Sequence, residues 1–150
     1  MKPMTGPSQY MDLSPYFDGI KARKLLLQFC QDTGRYQYYP RPGSVYTGKR
    51  NLVWREASGR GTLVSWTTVT VPSTGNAADA QSRICAFIDL EEGVRILSWL
   101  DPSAHDSELH VGQPMAIASW MPMSDGINWP VFGPVRTNTQ SDCANSLMIS

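Results

Sequence analysis

The stretch that decides the fold is WREASGRGTLVSW, Trp54 to Trp66. Trp54 closes one segment, and Thr62 to Val71 opens a strand dense in Thr, Val and Trp. Leu63, Ser65, Thr67, Val69 and Val71 alternate with Val64, Trp66, Thr68 and Thr70. Neither face is strongly polar, which predicts a long, curved, central strand. Between the two pieces, Ser58-Gly59-Arg60-Gly61 puts glycines where the backbone takes a positive φ or another chain comes close. The stretch therefore reads as a glycine hinge, with a small appendage before it and a β-barrel after it.

Downstream, Pro72 to Ser82 has no periodicity and reads as a loop. Arg83 to Leu90 and Val94 to Leu100 form a hairpin around Glu91-Glu92-Gly93. Asp101-Pro102-Ser103 starts a turn with a helical turn reaching Glu108, and the fourth and fifth strands are Met115 to Trp120 and Ile127 to Phe132, the latter entered through Asp125-Gly126. Five strands with a helical turn between the third and fourth match an OB-fold.

Upstream, Ser14 is expected to cap a short helix with Pro15 at its first position. Tyr16, Phe17 and Ile20 form its apolar stripe. Leu25 to Cys30 pairs with Gln37 to Tyr39 around Asp32-Thr33-Gly34-Arg35, and a second turn at Tyr46 to Lys49 precedes Leu52-Val53-Trp54. The division is a flexible arm at 1–11, helix and small module at 12–57, barrel at 58–135, and a disordered polar tail at 136–150.

Thirteen Lys and Arg balance thirteen Asp and Glu, so the formal net charge is zero. This disfavours a phosphate-tracking surface, which usually carries a basic excess. Three cysteines in dissimilar settings do not make a disulfide framework. Without an apolar leader or a run of membrane-spanning length, a cytoplasmic location and no membrane association are expected.

From Tyr16 to Pro134 the chain resembles the domain-of-unknown-function thirty-five group of OB-fold proteins associated with acyl-CoA enzymes. The resemblance rests on Tyr16-Phe17-Asp18-Gly19, LLLQFC, Tyr39-Pro40-Arg41-Pro42, LVWREASGRGTLVSWTTV, IDLEEGVRILSWL, VGQPM and PVFGP. It implies a rubredoxin-like zinc ribbon ahead of the barrel, held by two C-x-x-C knuckles. The matching positions are Cys30 and Thr33, then Ser44 and Thr47, a single thiol among four. Neutral hydroxyls do not replace thiolates around zinc. A metal-free ribbon is expected, without cofactor, held by Phe29, Tyr36, Tyr38, Tyr39, Tyr46, Leu52 and Trp54.

Candidate chemistry is sparse. Cys85, in an apolar run, reads as a small core residue, and His105 and His110 flank a turn in solvent. Asp89, Glu91 and Glu92 read as an acidic hairpin tip kept for solubility. No P-loop, dinucleotide fingerprint or zincin helix is present, and no catalytic residues are assigned. The resemblance implies a non-catalytic subunit that binds a thiolase-like, ketosynthase-like or aldolase enzyme working on CoA thioesters, giving a hetero-oligomer with CoA at the shared interface. Candidate partner contacts are Tyr16, Phe17, Trp99, Trp120, Met121 and Trp129, taken as exposed apolar groups beside Met115 and Met123. Candidate CoA-phosphate contacts are Arg55, Arg60 and Arg83. The alternatives are direct CoA or acyl-CoA binding, and single-stranded nucleic-acid binding with Tyr46 and Trp66 stacking bases while Lys49, Arg50, Arg55 and Arg60 track phosphates.

Overall fold

The computed structural model describes residues 11–71, 81–123 and 126–136. Positions 72–80 of the loop expected over 72–82, most of the N-terminal arm, Asp125 and the tail beyond Arg136 lie outside the described residues, while Gln81 and Ser82 are strand rather than loop. Helix α1 spans Ser14–Lys21. It is followed by β1 (Leu26–Cys30), β2 (Arg35–Gln37) and β3 (Leu52–Glu56), then by β4 (Arg60–Val71), β5 (Gln81–Leu90), β6 (Arg95–Leu100), β7 (Pro114–Pro122) and β8 (Asn128–Pro134). A single turn of 3-10 helix, Asp106–Glu108, lies between β6 and β7. The first three strands form a small antiparallel sheet in the order β2-β1-β3, and the other five close a barrel in the order β4-β5-β6-β8-β7.

The barrel is the five-stranded OB-fold expected from the strand pattern, with its helical turn in the expected place. Strand β4 is long because it serves two neighbours. It pairs with β5 from Gly61 to Val71 and with β7 at Arg60 to Thr62. Register shifts at Leu63/Ser65 in β4 and at Ile117/Ser119 in β7 add the bend that closure requires. The first shift also breaks the simple alternation read from the sequence, because a bulge moves later side chains to the opposite face. Inward positions of β5 and β6 alternate cleanly, with Ala86, Ile88, Leu90, Ile96 and Leu100 buried.

Two local expectations are corrected. Ser14 does not cap α1: Leu13 occupies the cap position without a side-chain bond, while Asp12 Oδ1 accepts the Ser14 N–H at 2.9 Å. Aspartate two residues ahead reaches this amide more directly than the serine hydroxyl reaches its own helix. The partner of β1 is Arg35 to Gln37, so the hairpin is tighter than read, with Cys30 opposite Arg35 and Gly34 at φ +67°.

The hinge is a pinned junction. Gly59 takes φ +73°, and its carbonyl accepts the Ile117 N–H at 2.9 Å. A Cβ at Gly61 would lie 2.3 Å from the Asp89 carbonyl oxygen, so β4 approaches β5 more closely than any side chain permits. Ala57 donates to Leu25 O on the small-sheet side, and Ser58 N donates to Glu92 Oε1 on the barrel side. One hydrophobic cluster runs across the junction, joining Tyr16, Ile20, Leu25 and Leu27 to Leu63, Ile88, Met115 and Phe132. The buried Tyr16 ring stands 6.2 Å from Trp54 and 6.4 Å from Trp129, so it links helix, small sheet and barrel.

Candidate functional site

At the positions aligned with the expected knuckles, chain folding brings three of the four residues, Cys30, Thr33 and Ser44, together. Cys30 is fully buried, and its Sγ accepts the Ser44 hydroxyl at 3.1 Å. That bond, followed by hydrogen bonding from Thr33, lowers the thiol to about 7 against the opposing effect of burial. Thr47 instead accepts the Lys49 N–H at 3.3 Å. A donor set of one thiol and neutral hydroxyls does not fit tetrahedral zinc. Among the described residues, no three His, Cys, Asp or Glu side chains converge as a metal site.

An amide network absent from the sequence reading lies beside this thiol. Gln28 and Gln37, opposite each other in register, are both buried. Gln28 Oε1 accepts Arg41 N–H and Gln37 Nε2, each at 2.8 Å, while Gln28 Nε2 donates to Arg41 O at 2.9 Å. Gln37 also donates to Gly43 O and accepts from Val45 N. Period-two alternation places Gln28 and Cys30 on the face covered by residues 38–47, and Leu27 on the face joined to the common core. Of the aromatic residues expected to hold this module, Phe29 and Tyr36 pair on the face of β1 opposite the network. Phe29 packs edge-on against Tyr36 at 4.9 Å, Tyr46 donates to Tyr36 O, and Tyr39 is 58% exposed. The sequence signal was slight: two glutamines at inward strand positions.

The three candidate arginines do not converge. Arg55 stacks over Phe29 with Cζ 3.6 Å from the ring centroid. Arg60 pairs with Glu91 at 3.3 Å. Arg83 pairs in register with Val69, about 30 Å along β4 from position 60 at about 3.3 Å per residue. Arg60 lines a 260 Å³ cavity at the junction with Arg23, Lys24 and Trp120, where Lys24 also meets Glu56 at 3.8 Å. Tyr46 and Trp66 are not free stacking platforms. Arg35 lies over the Tyr46 ring at 4.2 Å, and Trp66 Nε1 donates to Asp106.

The candidate partner contacts also divide. Tyr16 is buried, and Phe17 packs against it at 5.6 Å, so both belong to internal packing. Burial pushes the Tyr16 phenol up, with smaller contributions from Tyr38 and Tyr39. Trp99, Trp120, Met121 and Trp129 are half-buried rather than exposed. Met115, read as part of the same apolar surface, is fully buried. The outward apolar pair is instead Phe87 and Leu97, directly opposite on β5 and β6 and 43% and 48% exposed. One step along the same face, Cys85 is opposite Trp99, so Cys85 is on the barrel wall rather than in the interior. Partial burial pushes its thiol up.

The acidic hairpin tip is structural. Glu91 binds Arg60, Glu92 takes the Ser58 amide, and Asp89 forms a two-point pair with Arg95 at 2.6 and 2.9 Å. The Arg95 hydrogen bonds hold the Asp89 carboxyl below its usual range. His105 and His110 are exposed, as expected. No described helix is long and apolar enough to cross a membrane.

Comparison with known proteins follows this geometry. Residues 54–120 match the family described as the C-terminal OB-fold domain of ChsH2. The probable enoyl-CoA hydratase alpha subunit of Thermomonospora curvata is 25% identical over 135 residues, covering 90% of this chain and 41% of that protein. The 3-oxo-4,17-pregnadiene-20-carboxyl-CoA hydratase alpha subunit of Mycobacterium tuberculosis is 29% identical over 120 residues, covering 80% of this chain and 35% of the relative. The chain thus spans less than half the length of either curated relative. Among solved structures, a chain of an Ltp2-ChsH2(DUF35) aldolase superposes with a TM-score of 0.72 and 24% identity over 87% of this chain and 100% of its own length. A DUF35 protein of unknown function from Sulfolobus solfataricus superposes at 0.51 with 19% identity, over 70% of this chain and 75% of its own. Residues 54–120 thus match the ChsH2-type C-terminal OB-fold domain, and the chain shares the fold of the two DUF35 structures.

Proposed function

We propose that this chain is a non-catalytic accessory subunit that docks an enzyme acting on acyl-CoA thioesters, of thiolase-like, ketosynthase-like or aldolase type. The observation that carries the reading is the end-to-end match to a chain of an Ltp2-ChsH2(DUF35) aldolase. Two curated relatives named as acyl-CoA hydratase alpha subunits support it. The wall centred on Phe87 and Leu97 supplies the apolar docking surface, flanked by the Asp89–Arg95 pair, whose charges cancel. Exposed apolar groups of this kind suit a protein interface. The free Cys30 and Cys85 thiols accord with a cytoplasmic setting.

A second reading, direct contact with CoA, is favoured by one feature: Arg23, Lys24 and Arg60 line a single cavity beside Trp120. The diphosphate would meet these cations rather than Arg55 or Arg83. The reading is of a metal-free module, supported by the single thiol that Cys30, Thr33, Ser44 and Thr47 offer between them.

The test is co-expression with the products of the neighbouring genes and with thiolase-like and aldolase subunits, followed by size-exclusion chromatography. A stable complex that Phe87→Asp and Leu97→Asp abolish is expected, with substoichiometric zinc by elemental analysis. A monomer that ignores these subunits and binds single-stranded DNA in a salt-sensitive way would overturn the partner reading. One zinc per chain would overturn the metal-free reading.

A further inference from the structure

Two cavities share a wall where β5, β6, β7 and β8 meet. The first, 340 Å³, is lined by Ser82, Arg83, Ile84, Asp101 and Ser119. The second, 270 Å³, is lined by Leu97, Met123, Trp129 and other uncharged groups. Trp99 and Met121 line both. The pair therefore has one end with a cation, a carboxylate and hydroxyls, and one end without charge.

The partition is held by a weak contact. Arg83 Nη1 donates to Met121 Sδ at 3.3 Å, and a thioether is a poor acceptor for a guanidinium. Among the described residues, no carboxylate lies within ion-pair distance of Arg83. Asp101, the acid on the same cavity, is already engaged: its Oδ1 accepts the Ser103 amide at 3.0 Å and the Ser103 hydroxyl at 2.7 Å. Met121 is unbranched and can rotate away at small cost.

We propose that these cavities form one binding site for a small amphipathic carboxylate, a straight-chain fatty acid. Its carboxylate displaces the Met121 sulfur from Arg83, and its tail lies in the second cavity beside Trp99 and Trp129. The exchange replaces a sulfur contact by a charge-assisted, two-point hydrogen bond of the kind guanidinium favours. The uncharged lining of the second cavity, 270 Å³, suits an alkyl tail of medium length, and decanoate is the probe. Leu97 lines this site and also belongs to the proposed docking wall, so the isolated chain is the form to test.

The test titrates the isolated chain with decanoate, below its micellar concentration, by calorimetry and tryptophan fluorescence. Decanol serves as the uncharged analogue, and every variant is first checked for native circular dichroism. Arg83→Gln is expected to weaken decanoate about tenfold, the loss of one charge-assisted contact, and to leave decanol unchanged. Met121→Leu, which removes the competing sulfur at similar volume, binds decanoate at least as tightly as wild type. Met123→Asp weakens both ligands by placing a charge at the apolar end. Absence of saturable decanoate binding to wild type, or equal decanoate affinity in wild type and Arg83→Gln, would overturn the proposal.

Discussion

Replacing Gln28 by methionine tests whether amides hold the module that resembles a zinc ribbon. Methionine keeps the length of the side chain but removes both polar atoms. Three hydrogen bonds are lost: two with the Arg41 backbone and one with Gln37. Gln37 retains Gly43 and Val45, so the damage centres on the Arg41 amide and carbonyl. At about 1 kcal/mol net per bond, the expected loss is about 3 kcal/mol. That is a large share of a typical stability of about 5–15 kcal/mol. At about 2–4 °C per kcal/mol for a chain of this size, Tm falls by about 6–12 °C. Urea unfolding at neutral pH measures the loss, and hydrogen exchange at the Val45 amide separates local opening from global unfolding. A chelator should leave wild-type Tm unchanged. The double variant Gln28→Met/Gln37→Met should lose less than the sum of the single changes, because the two amides share a bond. A Gln28→Met protein within about 0.5 kcal/mol of wild type, the range of ordinary surface substitutions, with unchanged Val45 exchange, would refute this account.

Two further changes probe the junction and the hairpin. Gly61→Ala places a Cβ 2.3 Å from the Asp89 carbonyl oxygen, a backbone atom that moves only by separating β4 from β5. It should cost more than about 2 kcal/mol in urea unfolding, in the range of overpacked cores, and a stability equal to wild type would show that the strands can part freely. Asp89 has a folded-state pKa below the ordinary aspartate value of 3.8, chiefly through its Arg95 hydrogen bonds. Its contribution is therefore present above that value and lost as pH falls through the lower folded-state value. Arg95→Gln should remove this acid-side slope. Because the pair is about half exposed, solvent screening keeps the change at neutral pH below about 1 kcal/mol. An unchanged acid-unfolding profile would count against it.

The sequence alone determined the barrel. Alternating apolar positions at Ala86, Ile88 and Leu90 and at Ile96 and Leu100, with turns at Glu91-Glu92-Gly93 and Asp101-Pro102-Ser103, set five strands and a helical turn in an order few folds share. Backbone demands at Gly59 and Gly61 were legible for the same reason: positive φ and close strand approach both exclude a side chain. That Cys30, Thr33, Ser44 and Thr47 offer a single thiol is read from residue type alone. The amide network beside Cys30 was decided only by tertiary structure. Gln28 and Gln37 lie far enough apart in sequence that only strand register sets them face to face, and their remaining partners come from a loop with no pattern of its own. Burial of the aromatics was likewise decided in three dimensions. Tyr16, expected as a partner contact on a short helix, became the ring shared by Trp54 and Trp129, while Phe87 and Leu97, read only as hairpin-strand residues, face outward. Local pattern fixes which face of a strand a residue takes, but whether that face meets core, neighbour or solvent depends on contacts between segments distant in the chain.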